Sequence, residues 1–227
     1  MVDPGMVTWA RVVLLQHYPR PYERVQAYRI LAAENPWAYG PRLAEALARF
    51  VDDFSPAAPP EACERLLTEA ATALRDWAAL RVARGAFSPA ELRSDLRINP
   101  YALRPWPLLA ASIALAAAGR SDAALSVTDE YVHAARRQDF ASVKAQLAVI
   151  LYHRAALLEA RSRTPEALRL RAEADEAAAA GATAVGSWRS HRIAELLLAS
   201  APPPRTSGRR SLTPPGAAPS RTPMPLR

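Results

Sequence analysis

Through the first 200 positions, apolar residues are set among Ala, Leu, Arg and Glu, and no Val/Ile/Thr-rich run alternates apolar with polar between hairpin turns. That pattern predicts an all-α body. Helix breakers divide it at Pro19 and Pro21, Asn35-Pro36 to Pro41, Ser55 to Pro60, Ser88-Pro89, Asn99-Pro100 to Pro107, Gly119, Thr164-Pro165 and Gly181. Between these points the spacing predicts helices over about 7–18, 21–34, 41–54, 60–84, 89–97, 105–118, 121–138, 141–161, 165–180 and 184–200. Short turns joining so many helices imply antiparallel hairpins.

Internal repetition sharpens that picture. Asn35-Pro36-Trp37-Ala38-Tyr39-Gly40-Pro41 and Asn99-Pro100-Tyr101-Ala102-Leu103-Arg104-Pro105 share an N-P-aromatic-A-x-x-P frame, 64 residues apart, each ahead of an Ala/Leu-rich helix. In this reading the two frames are interrepeat turns, and Tyr39 and Trp106 are buried where hairpins join. A second echo runs through Leu115 to Gly119, Asp122, Ala124-Leu125 and Tyr131-Val132. It returns at Leu158, Ser162, Glu166, Ala167-Leu168 and Ala174, with Ala124 and Ala167 separated by 43 residues. Small residues where two helices cross let them approach closely, and leucines fill the surrounding space.

At these residues the sequence resembles tetratricopeptide repeats, whose period is about 34 residues. Ser112 and Ala155 fall at the small position of the first helix of a hairpin, Ala124 and Ala167 at the alanine opening the second, and Tyr131 and Ala174 seven residues on. The run Tyr28 to Leu47 is similar to a helix junction in the arrays of GC-rich actinobacteria. The resemblance covers most of residues 7–180 and implies a divergent solenoid of about four stacked antiparallel hairpins, with a closing helix near 184–200. Spacings of 43 and 64 exceed 34, so the helices are longer and an extra element at about 60–97 interrupts the array. Arg171 stands where the family has a large apolar residue. The resemblance also implies a partner-binding groove on the first helices of the hairpins. Register places Tyr152, Ala156 and Glu159, with Arg154, on that helix of the clearest repeat.

Composition and charge then bound the function. The chain has 227 residues, and its net charge of +7 is concentrated at one end. Residues 201–227 hold five arginines and no acid, leaving the body 24 bases against 22 acids, which gives no overall reason to hold a polyanion. Eight prolines in the same segment predict a disordered Arg/Pro-rich tail beyond a helical domain at 1–200. Within the tail, Arg209-Arg210-Ser211 has two bases before a serine and makes Ser211 a candidate phosphorylation site. Trp9 to Leu15 lacks the basic flank and cleavage site of a signal peptide, and the run Leu108 to Ala118 is too short to span a bilayer. A cytoplasmic protein without membrane attachment is expected.

Chemistry-bearing motifs are sparse. His17, His133, His153 and His191 lie on separate predicted helices without metal-ligand spacing, and Cys63, the one cysteine, reads as a buried structural thiol. No glycine-rich phosphate loop occurs. Asp52-Asp53 and Asp129-Glu130 are adjacent on helices and therefore point about 100° apart, which does not make an acid/base dyad. Arg136, Arg137, Arg161, Arg163, Arg169 and Arg171 are interleaved with Glu159, Glu166, Glu173 and Asp175, the composition of an ion-paired solvent face. The reading that results is a non-enzymatic scaffold or adaptor, without cofactor or metal, that binds a protein or peptide partner. Two alternatives stand beside it: a transcription-related regulator contacting nucleic acid through the arginine cluster and tail, and an all-α protein with a closed small-molecule pocket.

Overall fold

A computed structural model of the chain describes residues 2–54, 58–85, 106–137, 141–182 and 187–200. Among them nine helices and no strand are present. They are α1 (Pro4–Leu15), α2 (Pro21–Glu34), α3 (Pro36–Phe54), α4 (Pro60–Ala83), α5 (Trp106–Ala117), α6 (Ser121–Arg136), α7 (Ala141–Glu159), α8 (Thr164–Gly181) and α9 (Ser187–Ala199). The helix expected at 89–97, the tail at 201–227 and the second Asn-Pro frame lie outside the described residues, as does Ser211.

The breakers act as anticipated at most boundaries, and α2 begins and ends at the expected residues. The first Asn-Pro frame behaves differently from the turn it was expected to form. The Asn35 side chain accepts from the Ala38 N–H at 3.2 Å, Pro36 takes the first helical position, and α3 then runs through Pro41. Asparagine as N-cap followed by proline is a strong helix start, because proline lacks an N–H where none is needed. Pro41 forgoes one hydrogen bond close to that start, where the cap and the packing below still hold the helix.

Successive helices pack on one another from α1 to α8. Contacts across each pair show the direction. Tyr152 meets Asp175, Glu159 meets Arg171 and Gly181 approaches Ala145, so residue numbers rise on α8 as they fall on α7. The same antiparallel relation joins α6 to α7 through Leu125 and Arg154, and Tyr131 and Gln146. It joins α3 to α4 through Trp37 and Arg81, and Gly40 and Trp77. Gly40 is needed for that approach, since a Cβ there would lie 2.9 Å from Trp77 Cβ.

The turns of the last two pairs are alike. Gly119 (φ 78°) and Ser162 (φ 60°) each take the left-handed conformation, and the next residue donates back across the turn, Arg120 to the Leu115 carbonyl and Arg163 to that of Leu158. These two turns are offset by 43 residues, the separation of Ala124 and Ala167. The small and aromatic crossing residues Ser112, Ala124, Tyr131, Ala155, Ala167 and Ala174 are all at most 2% exposed.

One core runs from Val25 to Leu197, and a smaller cluster of Val7, Ala10, Val13, Ala27 and Leu31 joins α1 to α2. Cys63 is buried in α4 and unbridged, and Trp106 is buried at the head of α5. Tyr39 of α3 packs on the α1–α2 cluster, facing Tyr28 at 6.5 Å with Arg42 over its ring, but it is half-buried rather than enclosed as expected. The last helix departs from the succession. α9 returns across the molecule onto α3, α4, α5 and α7, burying Ile193, Ala194 and Leu197. Arg192 clasps Glu64 of α4 through two guanidinium nitrogens, the shortest contact being 2.6 Å, and holds that carboxyl below its usual range.

Candidate functional site

Two clefts open between alternate helices. The larger, about 580 Å³, lies between α6 and α8 over α7, and Leu125, Arg154, Leu158 and Leu170 are among its lining residues. The other, about 520 Å³, lies between α2 and α4 over α3, lined by Ala32, Gly40, Leu43 and Ala73 among others. Each is bridged by a forked ion pair. Arg136 on α6 donates through Nε and Nη2 to Glu173 on α8, both at 2.7 Å. Arg29 on α2 donates in the same way to Glu69 on α4, at 2.7 and 2.6 Å. The two pairs span 37 and 40 residues of sequence and link second helices of neighbouring hairpins.

The floor of the larger cleft is polar. Arg154 Nη1 donates to the Leu125 carbonyl at 2.7 Å and to Thr128 Oγ1 at 2.6 Å, while Nη2 reaches Asp129. Its Nε is buried without a hydrogen-bond partner among the described residues. Beneath, the Ser112 hydroxyl of α5 donates to the Ala124 carbonyl at 2.8 Å. Its hydrogen is thereby committed, so at 3.0 Å from His153 its oxygen accepts from Nε2–H. Burial, with the Arg154 charge adding to it, pulls the His153 pKa down to about 4 and keeps the ring neutral. Both side chains are buried and Ser112 is already a donor to backbone, which gives this pair the role of a three-helix tie rather than a nucleophile and base.

The four residues placed on a groove by register divide between two sides of α7. Tyr152, Ala156 and Glu159 share a stripe beside α8, where the Tyr152 hydroxyl donates to Asp175 and Glu159 accepts from Arg171 at 2.6 Å. The Asp175 carboxylate raises the Tyr152 pKa, chiefly through that hydrogen bond. Arg154 faces the other way, toward α6. Arg171 is thus an interhelical ion-pair partner. Arg136, Arg161, Arg163 and Arg171 of the cluster each hold an acid: Glu173, Asp122, Glu166 and Glu159.

Among the described residues, no group of three or more His, Cys, Asp or Glu is placed to hold a metal ion. No described helix is long and apolar enough to cross a membrane. Sequence reasoning missed both clefts, because each joins side chains about 40 positions apart. The signal available was the repeated Arg on one second helix and Glu on the next. Comparison of the chain with protein-family models, curated proteins and solved structures finds no match.

Proposed function

We propose that the chain is a non-enzymatic cytoplasmic scaffold of divergent tetratricopeptide-like hairpins that binds a protein or peptide partner on the face carrying the two clefts. The observation that carries this reading is the pair of equivalent clefts, each walled by two second helices, floored by a first helix and bridged by an Arg–Glu fork. The 43-residue offset shared by the turns and the buried alanines adds support for repetition. α9 packs on α3, α4, α5 and α7, and neither cleft includes one of its residues. Both clefts are therefore left open by the returning helix.

Paired charges beside leucines and alanines suit a peptide that presents apolar anchors between charged groups. The ion-paired arginines weigh against a polyanion, and the open clefts weigh against an enclosed small-molecule site. A peptide-display library panned on the full chain tests the proposal. Binders should emerge whose capture falls at least about tenfold on Ser126→Arg, which fills the larger cleft from its exposed rim. Binders indifferent to that change would place recognition elsewhere, and DNA or RNA retention falling steeply with salt would favour the regulator reading.

A further inference from the structure

The two clefts differ in the charges they leave without a partner. In the larger one Asp122, Asp129, Glu166 and Glu173 each hold an arginine. In the cleft over α3 the Asp76 carboxylate and the Arg65 guanidinium have no ion-pair or hydrogen-bond partner among the described residues. Arg29 takes both oxygens of Glu69, the acid one turn after Arg65 on α4, so the fork that bridges the cleft also leaves Arg65 unpaired. Arg75, next to Asp76, donates to Thr72 Oγ1 at 2.8 Å instead. Arg65, Glu69, Thr72 and Asp76 follow one another on α4 at helical spacing and form a single stripe along one wall. At 1.5 Å per residue its two ends lie about 16 Å apart. Between the fork and Asp76 the lining is Ala32, Ala33, Pro36, Gly40 and Ala73, small groups that leave space above the buried Leu43.

Taking the clefts as peptide-binding, as the proposed function does, we propose that the one over α3 holds an extended segment of about five residues with a Lys or Arg at the Asp76 end, a large apolar side chain between, and an Asp or Glu at the Arg65 end. The small apolar lining selects the central anchor, because it leaves room for one large side chain to be buried. The unpaired carboxylate and guanidinium select the two ends, and an extended chain rising about 3.3 Å per residue covers the distance between them. The fork selects the extended form. Arg29 and Glu69 join the walls directly, so a helix about 10 Å wide reaches the floor only by breaking that pair, whereas an extended chain crosses over it.

The test uses a phage-displayed library of random heptapeptides panned on the full chain, each recovered peptide then being titrated in synthetic form against the wild type, Asp76→Lys, Arg65→Glu and Ser126→Arg. Among the binders indifferent to Ser126→Arg, a class should carry a base and an acid on either side of an apolar residue. Affinity in that class should fall at least about tenfold on Asp76→Lys and return when the peptide's base is exchanged for glutamate. Arg65→Glu should act in the same way on the peptide's acid. A loss that the exchanged peptides fail to restore overturns the charge pairing. Binders that respond to Ser126→Arg while none responds to Asp76→Lys or Arg65→Glu overturn this assignment and leave the larger cleft standing as a peptide site. Binders indifferent to all three changes, or a library that yields none, overturn the peptide reading of both clefts.

Discussion

His153 makes the stability of the protein depend on pH in a predictable window. Its ring is neutral in the folded chain, with a pKa of about 4, whereas an exposed histidine titrates near 6.5. A group whose pKa is lower folded than unfolded binds its proton first in the unfolded chain. Acid therefore favours unfolding: the contribution is fully present above about pH 6.5 and is lost as pH falls toward 4. At 1.36 kcal/mol per unit the full loss is about 3 kcal/mol, of which about 2 kcal/mol falls between pH 7.5 and pH 5. The lowered carboxyls of Glu64 and Glu166 act only at lower pH, since their stabilising charge is lost as pH drops below the ordinary glutamate value of 4.5. Urea denaturation followed by circular dichroism at pH 7.5, 6 and 5 measures the slope. His153→Gln keeps an amide donor near Ser112 Oγ and removes the titration, so its stability should fall by about 2 kcal/mol less over the same range. Equal slopes for the two proteins would refute the burial argument.

Trp106→Ala should cost about 3–5 kcal/mol, because a fully enclosed ring is removed from the head of α5. Calorimetry should still show one transition, since α9 ties α3 to α7; a split melt would mean that the hairpins unfold separately. Gly181→Ala should destabilise by about 1–3 kcal/mol despite alanine's better helix propensity, because the new Cβ would meet Ala145 backbone atoms at 2.6 and 2.7 Å. A neutral or higher melting temperature would show that α7 and α8 separate easily. Ser162→Gly should stabilise by about 0.5–1 kcal/mol in urea titration, since serine at φ 60° is strained where Gly119 fills the equivalent turn.

Helix boundaries were legible because proline and glycine act locally: Pro21 and Asn35 bound α2 in sequence and in space. The start of α3 was not, because Pro41 reads as a breaker unless Asn35-Pro36 is first recognised as a cap and first helical residue. Ala124, Ala155 and Ala167 were readable as crossing residues, since small side chains at fixed spacing have few other uses in a helix. Arg154 could not be assigned its side of α7 from register, because a long side chain follows whichever carbonyl and carboxylate it finds, here Leu125 and Asp129. The exposure of Trp9, Val12 and Leu15 on α1 was equally hidden, since an apolar run in sequence does not say which of its members a neighbouring helix will cover. Nothing in the local pattern of residues 187–199 says that they fold back over α3 to α7, for that is decided by surfaces made more than a hundred residues earlier.

That return sets an order of events during synthesis. A stack in which every helix touches only its neighbours could settle pair by pair as it leaves the ribosome. Here Arg192 and Glu64 are 128 residues apart. At about 5–20 residues per second, Glu64 and the apolar surfaces of α4 and α5 wait roughly 6 to 25 s for the helix that covers them. During that wait the nascent chain is a substrate for chaperones, and a chain released before residue 187 keeps that surface exposed for proteases to find. Closure of the core on α3, α4, α5 and α7 is thus the last step the chain's own order allows, since it needs residues 187–199.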